Sequence, residues 1–261
     1  MENENKGHML VCPACGNTEW KVVYKIGQWD IGECSVCHFA RIDPLPVRTK
    51  RPEFYSEEKV IERNVKKLST SQQISRSMKR FFKKVTKRDK NKIFYNKFSC
   101  YLPASSKILD IGCGDGSFLK VAKKRFSCSG IEISEYLASL ARIDESLNIM
   151  TGDFLNIDFL DKKFDGITLI SLLEHLDDAE AAIRKCFDIL NAGGALLLKT
   201  VNYGCLNRVI KNGKWAGFRP PDHIIYFKPE NLKMLLKKVG FKKIKISAWP
   251  FNDNMYCDAR K

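Results

Sequence analysis

The chain has 261 residues, a formal net charge of +15 at pH 7, ten cysteines and four histidines, enough for one full α/β domain and a small appendage. No apolar run reaches the ~18 residues that span a bilayer, and the first ten residues are polar rather than a signal sequence, so a soluble, cytoplasmic protein is expected. The charge is uneven, with four basic against six acidic residues in 1–45 and seventeen against five in 46–97, which confines the feature that would suggest a polyanion partner to a connector.

Residues Met1 to His8 carry no pattern and read as a disordered leader. Cys12-x2-Cys15 is followed after eighteen residues by Cys34-x2-Cys37. Two such knuckles supply four thiolates at the corners of a tetrahedron, which suits Zn2+. A four-cysteine site leaves no position open for substrate, so the zinc is expected to be structural, holding together a piece too small to fold alone. A redox role would need a thioredoxin-like βαβ context, absent here. The remaining cysteines lack ligand spacing and read as buried thiols of a reducing compartment. Short strands to about residue 43 and a turn through Pro44 and Pro46 define a zinc-ribbon-like module over 1–45.

Residues 46–99 read as a basic connector with helical segments from about Glu57. Met78, Phe81, Phe82 and Val85 recur at helical spacing while Arg76, Lys79, Arg80, Lys83, Lys84, Lys87 and Arg88 fill the other faces. The preferred reading is a helix whose stripe packs on the following domain with its lysines in water; a contact with RNA or an anionic membrane surface is the other.

From residue 100 to 261 the pattern is that of an α/β domain. Lys107 to Phe118, KILDIGCGDGSF, drops from a short apolar strand into glycines at 112, 114 and 116, a turn expected to bring backbone N–H groups close to a ligand. A second strand, Ser129 to Ile133, carries Glu132 near its tip, where a carboxylate can bind both hydroxyls of a ribose. Phe164 to Ile170 reads as a buried strand, and Leu190 to Asn202 as another containing a Gly-Gly turn.

The loop with its acidic second strand resembles the class I S-adenosylmethionine (SAM) dependent methyltransferases, a Rossmann-like family with a doubly wound seven-stranded sheet. The resemblance extends through Thr151-Gly152-Asp153-Phe154, through Ser171 to Leu176, and through Pro221-Asp222-His223 to Phe241. It implies that Asp110, Gly112, Cys113, Gly114, Gly116 and Phe118 surround the methionine part of SAM. It also implies that Glu132 and Ile133 meet the ribose, that Asp153 and Phe154 meet the adenine, and that Ser171 lies beneath the transferable methyl. With the knuckle and the Asp-Pro-Leu-Pro and Glu-Phe-Tyr-Ser elements of residues 41–55, the whole chain is similar to bacterial methyltransferases that modify sugars, lipids or secondary metabolites.

Methyl transfer needs alignment, exclusion of water and removal of a proton from a hydroxyl or acidic carbon. His175, at the carboxyl edge of the fourth strand, and His223, in the loop Arg219 to Phe227 read as a lid, are the candidate bases. Trp215, Phe218, Tyr226 and Phe227 either wall the acceptor pocket or pack a helix over 230–239, and Asn202 and Tyr203 are placed at the same border. Similar quinone-ring O-methyltransferases carry a further acidic residue where this chain has Ser171, so no catalytic metal is expected. The reading is methyl transfer to a small-molecule or glycan/lipid-type acceptor, O-methylation ahead of C-methylation, with an RNA methyltransferase and a non-catalytic SAM-binding protein as alternatives.

Overall fold

A computed structural model describes residues 11–46, 57 and 90–261. The leader and the stripe of Met78, Phe81, Phe82 and Val85 lie outside the described residues. Near the N-terminus, β1 (Trp20–Ile26), β2 (Trp29–Cys34) and β3 (Ala40–Asp43) form an antiparallel meander. Each knuckle turns through a left-handed residue directly after its second cysteine, Gly16 at φ 79° and His38 at φ 62°. The amides there close back on the first cysteines, with Gly16 N–H donating to Cys12 O at 2.8 Å and His38 N–H to Cys34 O at 3.0 Å.

The main sheet contains β4 (Lys107–Ile111), β5 (Ser127–Glu132), β6 (Asn148–Thr151), β7 (Phe164–Ile170), β8 (Leu190–Val201), β10 (Lys242–Ala248) and β11 (Asn254–Arg260). Its order is β10-β11-β8-β7-β4-β5-β6. All neighbours are parallel except β11, which runs antiparallel to both β8 and β10. This is the doubly wound sheet expected from the strand-turn-helix alternation, and its direction of winding reverses between β4 and β7, where such folds bind ligands.

Strand alternation assigns side chains to two cores. Ile108, Ala195 and Leu197 face α1 (Lys90–Tyr101), α2 (Leu119–Ala122) and α3 (Glu135–Arg142). Leu109, Ile111, Leu196 and Leu198 face α4 (Ala179–Ile189) and α6 (Pro229–Val239). The helices begin where polar caps satisfy open amides: Ser134 Oγ accepts from Leu137 N–H at 3.3 Å and Asp178 Oδ1 from Ala181 N–H at 2.8 Å. Gly240, at φ 119°, ends α6.

The segment Arg219 to Phe227, read as a lid, borders the cavity through Pro221, Asp222 and Ile224 and is anchored near its end by a strand. β9 (Ile225–Tyr226) pairs antiparallel with β3, Ala40 opposite Tyr226 and Arg41 opposite Ile225. Ile42 N–H also donates to Ile224 O at 2.9 Å, and Asn231 Nδ2 on α6 donates to Cys37 O at 3.2 Å. Ile31, Phe39 and Ile42 of the ribbon therefore share one apolar core with the catalytic region. A meander with so few apolar side chains cannot bury them against itself. Among the described residues no helix is long and apolar enough to cross a membrane.

Candidate functional site

A cavity of about 610 Å³ opens at the carboxyl ends of β4, β5, β6 and β7. Gly112 and Gly114 form its floor with Ile111 and Ile131, while Glu132, Ile133, Asp153 and Phe154 line one side. Ser171, Leu172, His175 and Asp222 line the other, and Pro46, just beyond the ribbon, also reaches it. Its size and mixed lining suit a small organic ligand.

The glycine turn differs from its expected geometry. Gly112, Gly114 and Gly116 all have positive φ, at 70°, 56° and 74°, so glycine is required by conformation. The amides, however, point to the neighbouring strand: Gly112 and Cys113 N–H donate to Ile131 O at 2.8 and 3.0 Å, and Gly114 N–H donates to Glu132 Oε2 at 2.8 Å. Glu132 Oε1 accepts from Ser134 N–H at 3.0 Å. Glu132 is thereby held rigidly against the loop, and a carboxylate with four lone-pair sites retains capacity for hydroxyl donors.

Asp110, Cys113, Gly116 and Phe118 are not in the cavity wall. β4 continues one residue beyond Asp110, and alternation turns its carboxylate to the face shared with Ile108, where Thr168 Oγ1 of β7 donates to Oδ1 at 2.6 Å. Burial, opposed by Thr168 and reinforced by the charge of Glu132, pushes the Asp110 carboxyl up to about 7. Cys113 is buried against Gly130, Gly116 meets Ala141 and Leu147, and Phe118 packs with Phe94 and Phe98. These four shape the turn from behind. Asp153 keeps its place at the cavity, with Oδ1 accepting from Leu155 N–H at 3.0 Å.

Opposite Glu132, the 3₁₀ turn Leu173–His175 follows β7. Ser171 enters it at φ 57°, an uncommon conformation for a non-glycine residue, with its N–H donating to Lys199 O at 2.8 Å and its hydroxyl accepting from Lys199 Nζ at 2.6 Å. His175 Nδ1 lies 2.7 Å from Asp222 O and 3.2 Å from Asp222 Oδ1. A carbonyl can only accept, so Nδ1 carries hydrogen and the neutral ring has its lone pair on Nε2. Burial lowers the His175 pKa, but the hydrogen bond to Asp222 and the charges of Glu174 and Asp222 outweigh it and raise the value above 6.5. Burial also works against the Asp222 charge, yet His175 and Arg219 hold that carboxyl well below the usual range.

His223 does not line the cavity. Its ring stands 4.9 Å from that of His175, nearly perpendicular, and its Nδ1 donates to Gly217 O at 2.8 Å. Burial and the neighbouring His175 press its pKa down to about 4. Glu174, buried, accepts from Thr200 Oγ1 at 2.8 Å. Glu174, His175 and His223 bring one ligand atom each within 4.8 Å of one another, an arrangement invisible in sequence because the two histidines lie 48 positions apart. Trp215, Phe218, Tyr226 and Phe227 are buried and absent from the cavity wall. Trp215, Phe218 and Tyr226 pack on one another and on Tyr203, and Phe227 packs on Phe39. Asn202 and Tyr203 are likewise buried away from the cavity. Sequence reasoning placed Leu172 in the segment beneath the methyl but passed over Pro46 and named Asp222 only as the neighbour of His223, since proximity to residues far along the chain is what brings those two to the wall.

Cys12, Cys15, Cys34 and Cys37 gather with their sulfurs all within 4.8 Å of one another. Cys12 Sγ lies 3.5 Å from Cys37 Sγ, and Cys15 Sγ 3.6 Å from Cys34 Sγ. The edge of a tetrahedron with Zn–S bonds of ~2.3 Å is about 3.8 Å, so the four thiols fit a zinc ion. Of the other cysteines, Cys113, Cys128, Cys186, Cys205 and Cys257 are buried, as expected, whereas Cys100 is exposed.

The strand order and the cavity at the switch point define the fold of the class I methyltransferases. Residues 72–246 match the family described as "Methyltransferase domain", and the chain belongs to that family. It is 31% identical over 106 residues to a ubiquinone biosynthesis O-methyltransferase of Pseudomonas aeruginosa (strain LESB58), a match covering 38% of this chain and 46% of the relative. A ubiquinone biosynthesis O-methyltransferase of Azoarcus sp. (strain BH72) is 25% identical over 162 residues, covering 57% of this chain and 70% of the relative. The chain thus spans about half the length of the Pseudomonas relative it matches. Among solved structures, magnesium protoporphyrin IX methyltransferase from Synechocystis PCC 6803, with bound SAH, superposes with TM-score 0.60 at 17% identity, over 82% of this chain and all of that one.

Proposed function

We propose that this chain is a SAM-dependent methyltransferase acting on a small-molecule acceptor, with a hydroxyl ahead of a carbon as the site of transfer. The carrying observation is the cavity itself, which has Glu132 and Asp153 at one side and His175 with Asp222 at the other. That separation suits a nucleoside on the acidic side and an acceptor on the imidazole side. The relatives named for ubiquinone biosynthesis O-methylation support a small hydroxyl-bearing acceptor, and sugar- or lipid-type acceptors belong to the same proposal.

In this reading Glu132 binds the ribose hydroxyls, Asp153 and Phe154 hold the adenine, and the backbone at Gly112 and Gly114 leaves room for the methionine part. SAM, when bound, supplies a methyl activated by a positively charged sulfur with a neutral leaving group. The chain then has to orient the acceptor, keep water out with Leu172 and Leu176, and accept the acceptor's proton at His175 Nε2. Asp222 steadies the resulting imidazolium. His223, buried and depressed in pKa, braces the 217–223 turn behind it. Cys12, Cys15, Cys34 and Cys37 hold a structural zinc, and the division into 1–45, 46–99 and 100–261 is retained as a proposal about origin rather than independence.

Thermal melting with SAM tests the cofactor. Ligand at a hundred times its dissociation constant stabilises by about 2.7 kcal/mol, and Glu132→Ala should remove most of that shift. No shift at millimolar SAM would refute the reading. Incubation with labelled SAM should then mark a metabolite extract and not total RNA; label in RNA alone would replace the acceptor class.

A further inference from the structure

The carboxyl edge of the sheet carries an apolar surface that neither the cavity nor the ribbon uses. α5 (Leu206–Lys211) leaves the end of β8 and exposes Leu206 at 43%, Val209 at 59% and Ile210 at 71%. The connection between β10 and β11 exposes Trp249 at 74% and Phe251 at 67%. These segments are fastened side by side: Leu206 N–H donates to Pro250 O at 2.7 Å, and Asn207 Nδ2 donates to Phe251 O at 2.8 Å and to Asp253 Oδ1 at 3.1 Å. Trp215 Nε1, itself buried, ties the same Asp253 at 2.8 Å. Five large apolar side chains are therefore presented on a braced platform. Such clustering is unusual for a surface that meets only water.

The charges around the platform are predominantly basic, with Asp253 at its base the acidic exception. Residues 203–219 contain Arg208, Lys211, Lys214 and Arg219 and no acidic residue, and residues 242–252 contain Lys242, Lys243 and Lys245 and no acidic residue. Lys211 and Lys214 are exposed beside the aliphatic residues of α5, and Lys245 is exposed on the edge strand leading to Trp249. Exposed Trp and Phe at a loop tip, with aliphatic residues and exposed lysines beside them, match the chemistry of a bilayer interface. There aromatic rings settle at headgroup depth and ammonium groups meet anionic lipid. Because β10 runs in the direction of β8, both segments lie on the sheet edge at which the cavity opens.

We propose that this platform docks on the surface of an anionic phospholipid bilayer, with Trp249, Phe251 and Ile210 entering the headgroup layer. The inference stands independently of the reaction, since it uses no cavity residue.

Sedimentation of the full chain with vesicles tests it. Binding should be strong to vesicles of phosphatidylcholine with phosphatidylglycerol, weak to phosphatidylcholine alone, and diminished by added salt. The double variant Trp249→Ser/Phe251→Ser should partition about tenfold less or weaker while keeping its melting temperature. Trp249→Phe, which preserves the apolar surface, should still bind but lose the blue shift of tryptophan emission seen with the natural chain. Absence of binding to anionic vesicles overturns the proposal. So does undiminished binding by the double variant, which would transfer the contact to the basic residues 76–88. A platform covered instead by a second copy would appear as a dimer dispersed by the double variant without vesicle binding, and one covered by RNA as salt-sensitive RNA binding lost in the same variant. Either result overturns it.

Discussion

At the scale of residues, His175 is defined by what its Nδ1 touches. The Asp222 carbonyl fixes the tautomer, and the Asp222 carboxylate raises the pKa. A base must be neutral to accept a proton, so turnover is expected to fall tenfold per pH unit on the acid side of a midpoint above 6.5. Asp222→Asn removes the charge that favours imidazolium, and the acid limb should move to lower pH; a limb that stays in place refutes the pairing. His175→Ala should lower kcat by about 10²–10⁴ and leave the SAM-induced melting shift unchanged. The histidines could be named from sequence because the chain has only four. Their separate fates could not, since burial lowers the pKa of His223 while Asp222, drawn from a distant turn, raises that of His175.

At the scale of elements, helix and sheet approach closely at glycines that no turn requires. A Cβ on Gly166 in β7 would lie 2.6 Å from Phe98 Cε1 of α1 and 2.7 Å from Ile108 Cδ1. Gly166→Ala should therefore destabilise by about 1–3 kcal/mol through overpacking, lowering the melting temperature by about 2–4 °C for each kcal/mol. Phe98→Leu in that background should recover part of the loss, because the clash is with the ring; additive losses would contradict the packing account. The glycine turn was legible in sequence as a turn. Its amide directions were not, because they depend on β5 ending where Ile131 O and Glu132 can receive them.

At the scale of the whole molecule, the ribbon is a structural member of the catalytic region. β3 supports β9, and the turn just before β9 carries Asp222 and His223. Metal analysis should find about one zinc per chain. Cys15→Ser should lower the melting temperature and turnover together, with faster amide exchange in residues 222–227, because loss of the knuckle frees β3. Retained exchange protection there with zinc absent would show that the ribbon is an ornament.

The sequence by itself determined the strand-turn-helix alternation, the glycines with positive φ and the four-cysteine spacing, since each is set by local backbone geometry or by short-range ligand spacing. Only the tertiary structure decided that Asp110 turns away from the cavity and that the segment read as a lid is anchored by a strand of the ribbon's sheet. It also decided that four aromatics fill core instead of pocket. These outcomes depend on which distant surfaces meet, and on the need of a small ribbon to bury its few apolar side chains against a larger neighbour.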